Sequence, residues 1–345
     1  MATERWISPE TRLPEDEAQG FALRPRTISE YIGQSELMQR LRIALEASRA
    51  RNEPAEHMLL HGPPGLGKTT LAHVVAAEMN AAAHVTSGPA LTRGSDLVGA
   101  LTRLQPGDVL FIDEIHRLPI AVEEFIYPAM EDGRIDVAVD SGMNAQTVSI
   151  AVKPFTLIGA TTRAGLLSAP LRSRFGLTHH LRYYRTEELH EILTRSAKLL
   201  ETPAEDIALS RIASRSRGTP RIANRLLRRV RDYAQVRANG AITNSVVDEA
   251  LALEGVDNQG LDGLDRRYLQ TLATTYKGGP AGVEAIAASM GEDAGTLEDV
   301  VEPYLLQIAF LARTRRGRQL TQDAADYLKM EIELKPTPAN ELLED

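Results

Sequence analysis

The chain has 345 residues, 43% of them hydrophobic, which is enough for two or three domains with real cores. It carries 39 basic and 47 acidic residues, a net charge of −8, and no cysteine, which excludes disulfides and thiolate metal sites and argues against a uniformly basic nucleic-acid binder. There is no run of about 18 apolar residues to span a membrane, and the mixed, acidic start MATERWISPETRLPEDE lacks the order of a secretory signal, so a cytoplasmic protein is expected.

Residues 1–20 read as a loose arm. From 21 to 185, short apolar runs at 57–61, 84–86, 109–113 and 156–160 alternate with stretches of helical period. Short runs bounded by turn residues fit buried parallel strands, and helices between them make βαβ units. The expected fold class is therefore α/β, around a parallel sheet.

The first motif that carries chemistry is Gly62-Pro63-Pro64-Gly65-Leu66-Gly67-Lys68-Thr69, set between a strand and a helix opening at Thr70. It is a complete phosphate-binding loop, Gly-x-x-x-x-Gly-Lys-Ser/Thr, in the context that motif requires. Glycines let successive N–H groups curl around a phosphate, and the helix N-terminus adds partial positive charge. Gly65, Leu66, Gly67, Lys68, Thr69 and Thr70 are the nucleotide-binding candidates. Lys68 would neutralise the β- and γ-phosphates and Thr69 would hold Mg2+, so ATP and Mg2+ are the expected cofactors.

Further along, Val109-Leu110-Phe111-Ile112 runs into Asp113 and Glu114, at the carboxyl end of a strand, where open α/β sheets bind ligands. Asp113 is the second Mg2+ candidate, and Glu114 is the candidate base that polarises the attacking water. Alone, two acids could simply open a helix; downstream of a phosphate loop the catalytic reading is preferred. Ile135, Val137 and Val139 then alternate with polar residues, as do Val148, Ile150 and Val152, on either side of Asp140-Ser141-Gly142-Met143-Asn144. This is a hairpin with one apolar face. A two-stranded ribbon is marginal in water, so that face must dock on its own domain or on a partner protein.

The next strand ends in Thr161-Thr162-Arg163, where either hydroxyl could orient the water, although such strand ends are commonly structural. In Leu171-Arg172-Ser173-Arg174-Phe175, two arginines beside apolar anchors are either surface residues or a finger for a neighbour's phosphates. Residues 186–257 show only helices, at 187–200, 206–215, 220–237 and 244–253. Pro220 opens the third and puts Arg221 in its first turn, against the helix dipole, which hints at an anion nearby.

Asn258-Gln259-Gly260 read as a hinge into a last unit, 258–331, ordered helix, Gly-Gly-Pro turn, helix, helix, strand, turn, strand: a winged helix. Its third helix carries Glu298, Asp299 and Glu302, which phosphates would repel, so readout by a helix in the major groove is not expected. Arg313, Arg315, Arg316 and Arg318 are four arginines in six residues. They look like a wing that carries guanidinium groups to the DNA backbone without reading sequence; the alternative is a solvated basic loop. Residues 332–345 are expected to be disordered.

Together these motifs resemble the AAA+ ATPases, and their wording resembles the RuvB family of bacterial Holliday-junction branch-migration motors. The matching stretches begin with Leu23-Arg24-Pro25-Arg26, Tyr31-Ile32-Gly33-Gln34, the phosphate loop and Val85-Thr86-Ser87-Gly88-Pro89-Ala90. They continue with Ile112-Asp113-Glu114-Ile115-His116-Arg117-Leu118, Gly159-Ala160-Thr161-Thr162-Arg163 and Arg217-Gly218-Thr219-Pro220-Arg221, then Glu302-Pro303-Tyr304-Leu305-Leu306-Gln307 and Arg316-Gly317-Arg318. The resemblance implies a large ATPase domain (21–185), a small helical lid (186–257) and a winged-helix head. It implies a homo-hexameric ring on duplex DNA, working with RuvA, which would meet the hairpin at 135–152, and linked to the RuvC resolvase. It also implies Leu23, Arg24 and Tyr184 near the adenine and Glu131, Asp132 and Gly133 near bound nucleotide. Thr161 or Thr162 would be the first sensor of the γ-phosphate, Arg221 the second, and Arg174 the finger reaching a neighbour's ATP. The chain departs from the family pattern at Ser173, where Asp is usual, and at Ala309 and Arg315, where Gly and Pro are usual. A clamp-loader-type AAA+ ATPase would share the ATPase motifs but would not need the wing. A nucleotide-binding scaffold without turnover would not need Glu114.

Overall fold

The computed structural model describes residues 23–138 and 147–330. The expected arm at 1–20, the hairpin tip including Val139 and residues 140–144, and the expected tail at 332–345 lie outside the described residues. Contacts divide the chain into two compact units. One holds the chain up to Glu201 and Gly218–Asn224; the other holds Thr202–Arg217 and the chain from Arg225 onward.

The first unit is built on five parallel strands: β1 (Met58–His61), β2 (Ala83–Ser87), β3 (Val109–Asp113), β6 (Thr156–Thr161) and β7 (Leu177–His180), in the order β2-β3-β6-β1-β7. The three central strands are buried nearly end to end, as their unbroken apolar runs require. The expected α/β parallel sheet is present. β7 was not legible as a strand, because Leu177-Thr178-His179-His180 offers one aliphatic residue and pairs only with β1, at the sheet's edge. Helix α1 (Ser35–Arg51) buries Leu37, Met38, Leu41 and Leu45 at helical spacing. Helices α2 (Lys68–Glu78), α3 (Gly94–Thr102), α4 (Ile120–Glu131), α5 (Ala169–Ser173) and α6 (Thr186–Leu199) complete this unit.

Strands β4 (Arg134–Ala138) and β5 (Thr147–Ala151) form the expected antiparallel hairpin. Its base docks on its own unit: Ile135 and Val152 are buried beside Phe155 and Ile126, and Val137 packs against the same cluster. Val148, further towards the tip, is exposed.

In the second unit α7 (Asp206–Ser214), most of α8 (Pro220–Arg237) and α9 (Asn244–Leu253) precede the head. The head contains α10 (Gly263–Thr274), α11 (Val283–Met290), a π-turn at Leu297–Val301 running into α12 (Glu302–Gln307), the wing strands β8 (Leu311–Thr314) and β9 (Gly317–Leu320), and α13 (Gln322–Leu328). Around Tyr268, Leu269, Leu272, Ile286, Leu297 and Leu305 it has its own apolar core. Asn258–Gly260, read as a hinge, are hydrogen-bonded from three side chains. Arg215 donates to the Asn258 side chain at 2.5 Å, Tyr304 to the Gln259 carbonyl at 2.5 Å, and Arg217 to the Gly260 carbonyl at 2.8 Å. No helix among the described residues is long and apolar enough to cross a membrane.

The turn between α12 and the wing holds Ala309 at φ 56°. In that left-handed region a Cβ costs about 1–2 kcal/mol, and glycine's greater unfolded-state freedom offsets part of this. Ala309→Gly is expected to stabilise the head by about 0.5–1 kcal/mol, measured by denaturant unfolding. A loss of stability would show that the Ala309 methyl contributes packing that outweighs the strain.

Candidate active site

Because all five strands run the same way, the loops that follow them meet at one end of the sheet. The phosphate loop follows β1, Asp113 and Glu114 close β3, and Thr161 and Thr162 close β6; the Gly62 amide donates to the Thr161 carbonyl at 3.2 Å. Gly62, Gly65 and Gly67 all have positive φ, which turns the loop's amides inward. Lys68, 7% exposed, donates to the carbonyls of Gly62 at 2.8 Å and Pro63 at 3.0 Å. Burial lowers its pKa from the usual lysine value, against the opposing pull of Glu114 and Asp113. Burial in turn raises the Asp113 carboxyl, and the Glu114 charge adds to this. A half-buried carboxylate held against its desolvation cost beside the hydroxyl-bearing loop suits a divalent cation. Asp113 and Thr69 thus fit the expected Mg2+ role.

Glu114 stands in a strained left-handed conformation, φ 47°. Gly88, from the Ser87-Gly88-Pro89 stretch, lies beneath it, and a Cβ there would come within 2.4 Å of the Glu114 carbonyl oxygen. Just past the end of β6, Thr162 donates to the Glu114 side chain at 3.2 Å. Thr161 is wholly buried; its hydroxyl lies 2.9 Å from His116 Nδ1 and accepts from the Arg163 amide at 2.9 Å. His116 Nδ1 also lies 3.2 Å from Glu114. The two threonines, equivalent in sequence, thus differ: Thr161 braces His116 and the backbone, while Thr162 holds the Glu114 carboxylate. His116 was not among the sequence candidates; its only signal was its place two residues after Glu114.

Around the loop, the other expected nucleotide residues come together in part. Leu23 is buried, and Arg195 of α6 donates to the carbonyls of Leu23 at 2.8 Å and Arg24 at 3.4 Å. His73 of α2 is pushed down first by burial and then by the Arg24 charge, which puts Arg24 beside the helix that opens at the phosphate loop. The Tyr184 hydroxyl lies 3.3 Å from the Leu66 carbonyl oxygen and 3.1 Å from the Tyr31 hydroxyl. Burial raises both phenols, Tyr31 to about 12. Tyr31 was not among the sequence candidates, although its stretch was singled out. Arg221 rests its backbone on the loop, its amide 3.4 Å from the Gly65 carbonyl.

Arg174 lies elsewhere. It pairs with Glu131 at 3.1 Å, donates to the Pro170 carbonyl at 2.8 Å and stacks 4.3 Å over the Tyr127 ring. Ser173 likewise donates to Pro170, at 3.0 Å. The neighbouring contacts fix which end of the sheet this is: Met130, beside Glu131, meets His57 at 3.4 Å, and His57 precedes β1 and accepts from Leu177 at the start of β7. Arg174 and Glu131 therefore sit at the amino end of the sheet. The length of β1, roughly 13 Å at 3.3 Å per residue, separates them from the phosphate loop. Asp132 and Gly133 stay with them, Asp132 pairing with Arg134 at 3.2 Å and Gly133 accepting from Val152 at 2.7 Å. Within one chain these four residues are not brought to the phosphate loop.

In the head, the wing is a short sheet: β8 pairs with β9, and Arg318 bridges to Ala281. Arg315 and Arg316 are exposed at its turn. Arg313 and Arg318 are partly buried and bound to Glu302, at 3.0 and 2.9 Å. This corrects the expectation for α12: Glu302 is fully buried and binds the wing, so it presents no charge to an approaching phosphate.

Three family descriptions match the chain in succession: the Holliday junction DNA helicase RuvB P-loop domain over residues 23–181, the RuvB AAA lid domain over 184–257, and the RuvB C-terminal winged helix domain over 258–329. A Holliday junction branch migration complex subunit RuvB of Myxococcus xanthus is 52% identical over 342 residues, 99% of each chain. The protein of that name from Desulfosudis oleivorans is 53% identical over 324 residues, 93% of this chain and 94% of its own. Among solved structures, the Thermotoga maritima RuvB Holliday junction branch migration motor superposes with a TM-score of 0.81 at 50% identity, covering 90% of this chain and 99% of its own. A point mutant of the same protein gives 0.83 at 51% identity over the same shares.

The site geometry separates three side chains by experiment. Glu114→Gln should retain nucleotide binding and lose about 10²–10⁴-fold in hydrolysis rate, because an amide cannot polarise water. Thr162→Val should slow hydrolysis with stability unchanged. Thr161→Val should instead cost about 1–3 kcal/mol of stability, since it leaves buried partners unsatisfied. Single-turnover hydrolysis and thermal unfolding read these effects; an inactive but fully stable Thr161 variant would reverse the assignment of the two threonines.

Proposed function

The chain belongs to the RuvB family, and from that premise we propose that it is an ATP-driven motor of Holliday-junction branch migration that works as a homo-hexameric ring on duplex DNA. The observation that carries this reading is the placement of Arg174 at the far end of the sheet from its own phosphate loop. In a ring, the amino end of one sheet can face the carboxyl end of the next. Arg174 then completes the neighbour's site, and Glu131, Asp132 and Gly133 line the same junction. A finger of this kind contributes roughly 10³–10⁵ in rate.

Within each site the geometry supports the following roles. Lys68 and the loop amides bind the β- and γ-phosphates of ATP, and Leu23, Arg24, Tyr31 and Tyr184 surround the base. Mg2+, held by Thr69 and Asp113, would neutralise charge on the phosphates. Glu114 polarises the attacking water, and Thr162 orients Glu114 as the first sensor. Arg221, in the first turn of α8, is the second sensor; α8 leaves the first unit after Asn224 and continues in the second, so a shift at the nucleotide has a covalent path towards the head. We keep a lid at 186–257 and a head at 258–331 as the working domains. The wing arginines contact DNA phosphates without reading bases. RuvA docks on the outer part of the hairpin, where Val148 is exposed, the RuvC resolvase acts on the same junctions, and the protein works in the cytoplasm.

A synthetic four-way junction tests this reading. The chain with ATP and Mg2+ should drive branch migration, and added RuvA should raise the rate; the same mixture with a non-hydrolysable analogue should not. ATP hydrolysis stimulated by DNA but without strand exchange would assign the chain to clamp-loader-type work instead.

A further inference from the structure

Glu302 and Glu298 hold the wing arginines in two different ways. Glu302 is wholly buried and accepts five hydrogen bonds. Its Oε1 takes the Tyr268 hydroxyl at 2.9 Å and Arg318 Nε at 2.9 Å. Its Oε2 takes Arg313 Nη2 at 3.0 Å, Arg313 Nε at 3.3 Å and Arg318 Nη2 at 3.2 Å. Such a carboxylate cannot leave, because no water would replace its partners. Glu298 makes one contact of another kind. From the first turn of the π-helical segment, with a side chain 37% exposed, it accepts from Arg318 Nη2 at 2.6 Å.

The charges show what the second carboxylate does. Two guanidinium groups share the Glu302 carboxylate, and Glu298 brings a second negative charge to Arg318. A DNA phosphate brings the same single negative charge and seeks the same donor, since the arginine fork fits carboxylate and phosphate alike. Glu302 is not displaceable. Glu298 is, because its side chain is 37% exposed, so the pair is screened on that side and the freed carboxylate regains water. A motor that advances along DNA must release each phosphate it grips, and a wing with permanently uncompensated arginines would release slowly.

We infer that Glu298 is an exchangeable stand-in for a DNA phosphate: it occupies Arg318 when the wing is off DNA, yields to the phosphate on binding, and takes the arginine back on release. This rests on the wing being the DNA-contacting element. It makes Glu298 a positioning residue that acts through Arg318.

The test measures binding of a mixed-sequence fluorescent duplex by the full chain, at two salt concentrations, for Glu298→Gln, Arg318→Ala and the double variant. Glu298 is at the surface, so its substitution leaves the fold intact. Glu298→Gln should tighten binding about two- to five-fold, the range of an exposed ion pair, and less at the higher salt. In the Arg318→Ala background the gain should vanish, because the contact it removes is already gone. Where Arg318→Ala does not fold, Arg318→Lys keeps a charge against Glu302 and should shrink the gain. An equal gain in both backgrounds would overturn the inference, since Glu298 would then only add local negative charge; so would no gain, or weaker binding, in the single variant. If Arg318→Ala folds and binds duplex as tightly as the unmodified chain, the wing is not the DNA contact and that reading fails first.

Discussion

In a parallel sheet every strand points the same way, so the loop leaving a strand and the loop entering it are held at opposite ends. Here the carboxyl end of β1, β3 and β6 gathers the phosphate loop, Asp113, Glu114, Thr161 and Thr162. The amino end gathers Arg174, Glu131, Asp132 and Gly133 around His57 and Met130. The rigid strands between them fix that separation. One chain therefore holds its phosphate loop and acid pair at one end of the sheet and Arg174 at the other.

A second constraint is that buried charge must be answered by hydrogen bonds. At the carboxyl end, Thr161, His116, Glu114 and Thr162 form one chain of contacts across β3 and β6, and the strain at Glu114 is held by the close approach of Gly88. In the head, Glu302 gathers Tyr268, Arg313 and Arg318 and so locks the wing to α12 and α10. Both networks hold their charged groups through partners distant in sequence. The same logic pins residues 258–260, where Arg215, Arg217 and Tyr304 fasten a stretch whose composition reads as flexible.

Much of this was legible in the residues. The phosphate loop, the acid pair at a strand end and the four apolar strands are local patterns, and the strands came through because each is short, apolar and bounded by turns. β7 was not, since an edge strand written Leu-Thr-His-His carries no period. Nor was α13, a seven-residue helix beyond the wing. The difference between Thr161 and Thr162 depends on which face of β6 meets His116, which only the sheet register decides. Glu302 was misread as a surface charge because its five donors come from Tyr268, Arg313 and Arg318, none of them its neighbours in sequence. Long-range pairing of this kind leaves no spacing to read.

The central claim is that the catalytic site is shared between neighbouring chains, and mixing two inactive variants measures it most directly. Arg174→Ala lacks the finger but keeps its own phosphate loop; Lys68→Ala lacks the loop cation but keeps its finger. Each alone should hydrolyse almost no ATP. Rings assembled from both should recover part of the DNA-stimulated ATPase, because some junctions then pair an intact loop with an intact finger. If rings shown to contain both variants stay as inactive as either alone, Arg174 does not serve a neighbour's site, and the division of function between the two ends of the sheet is contradicted.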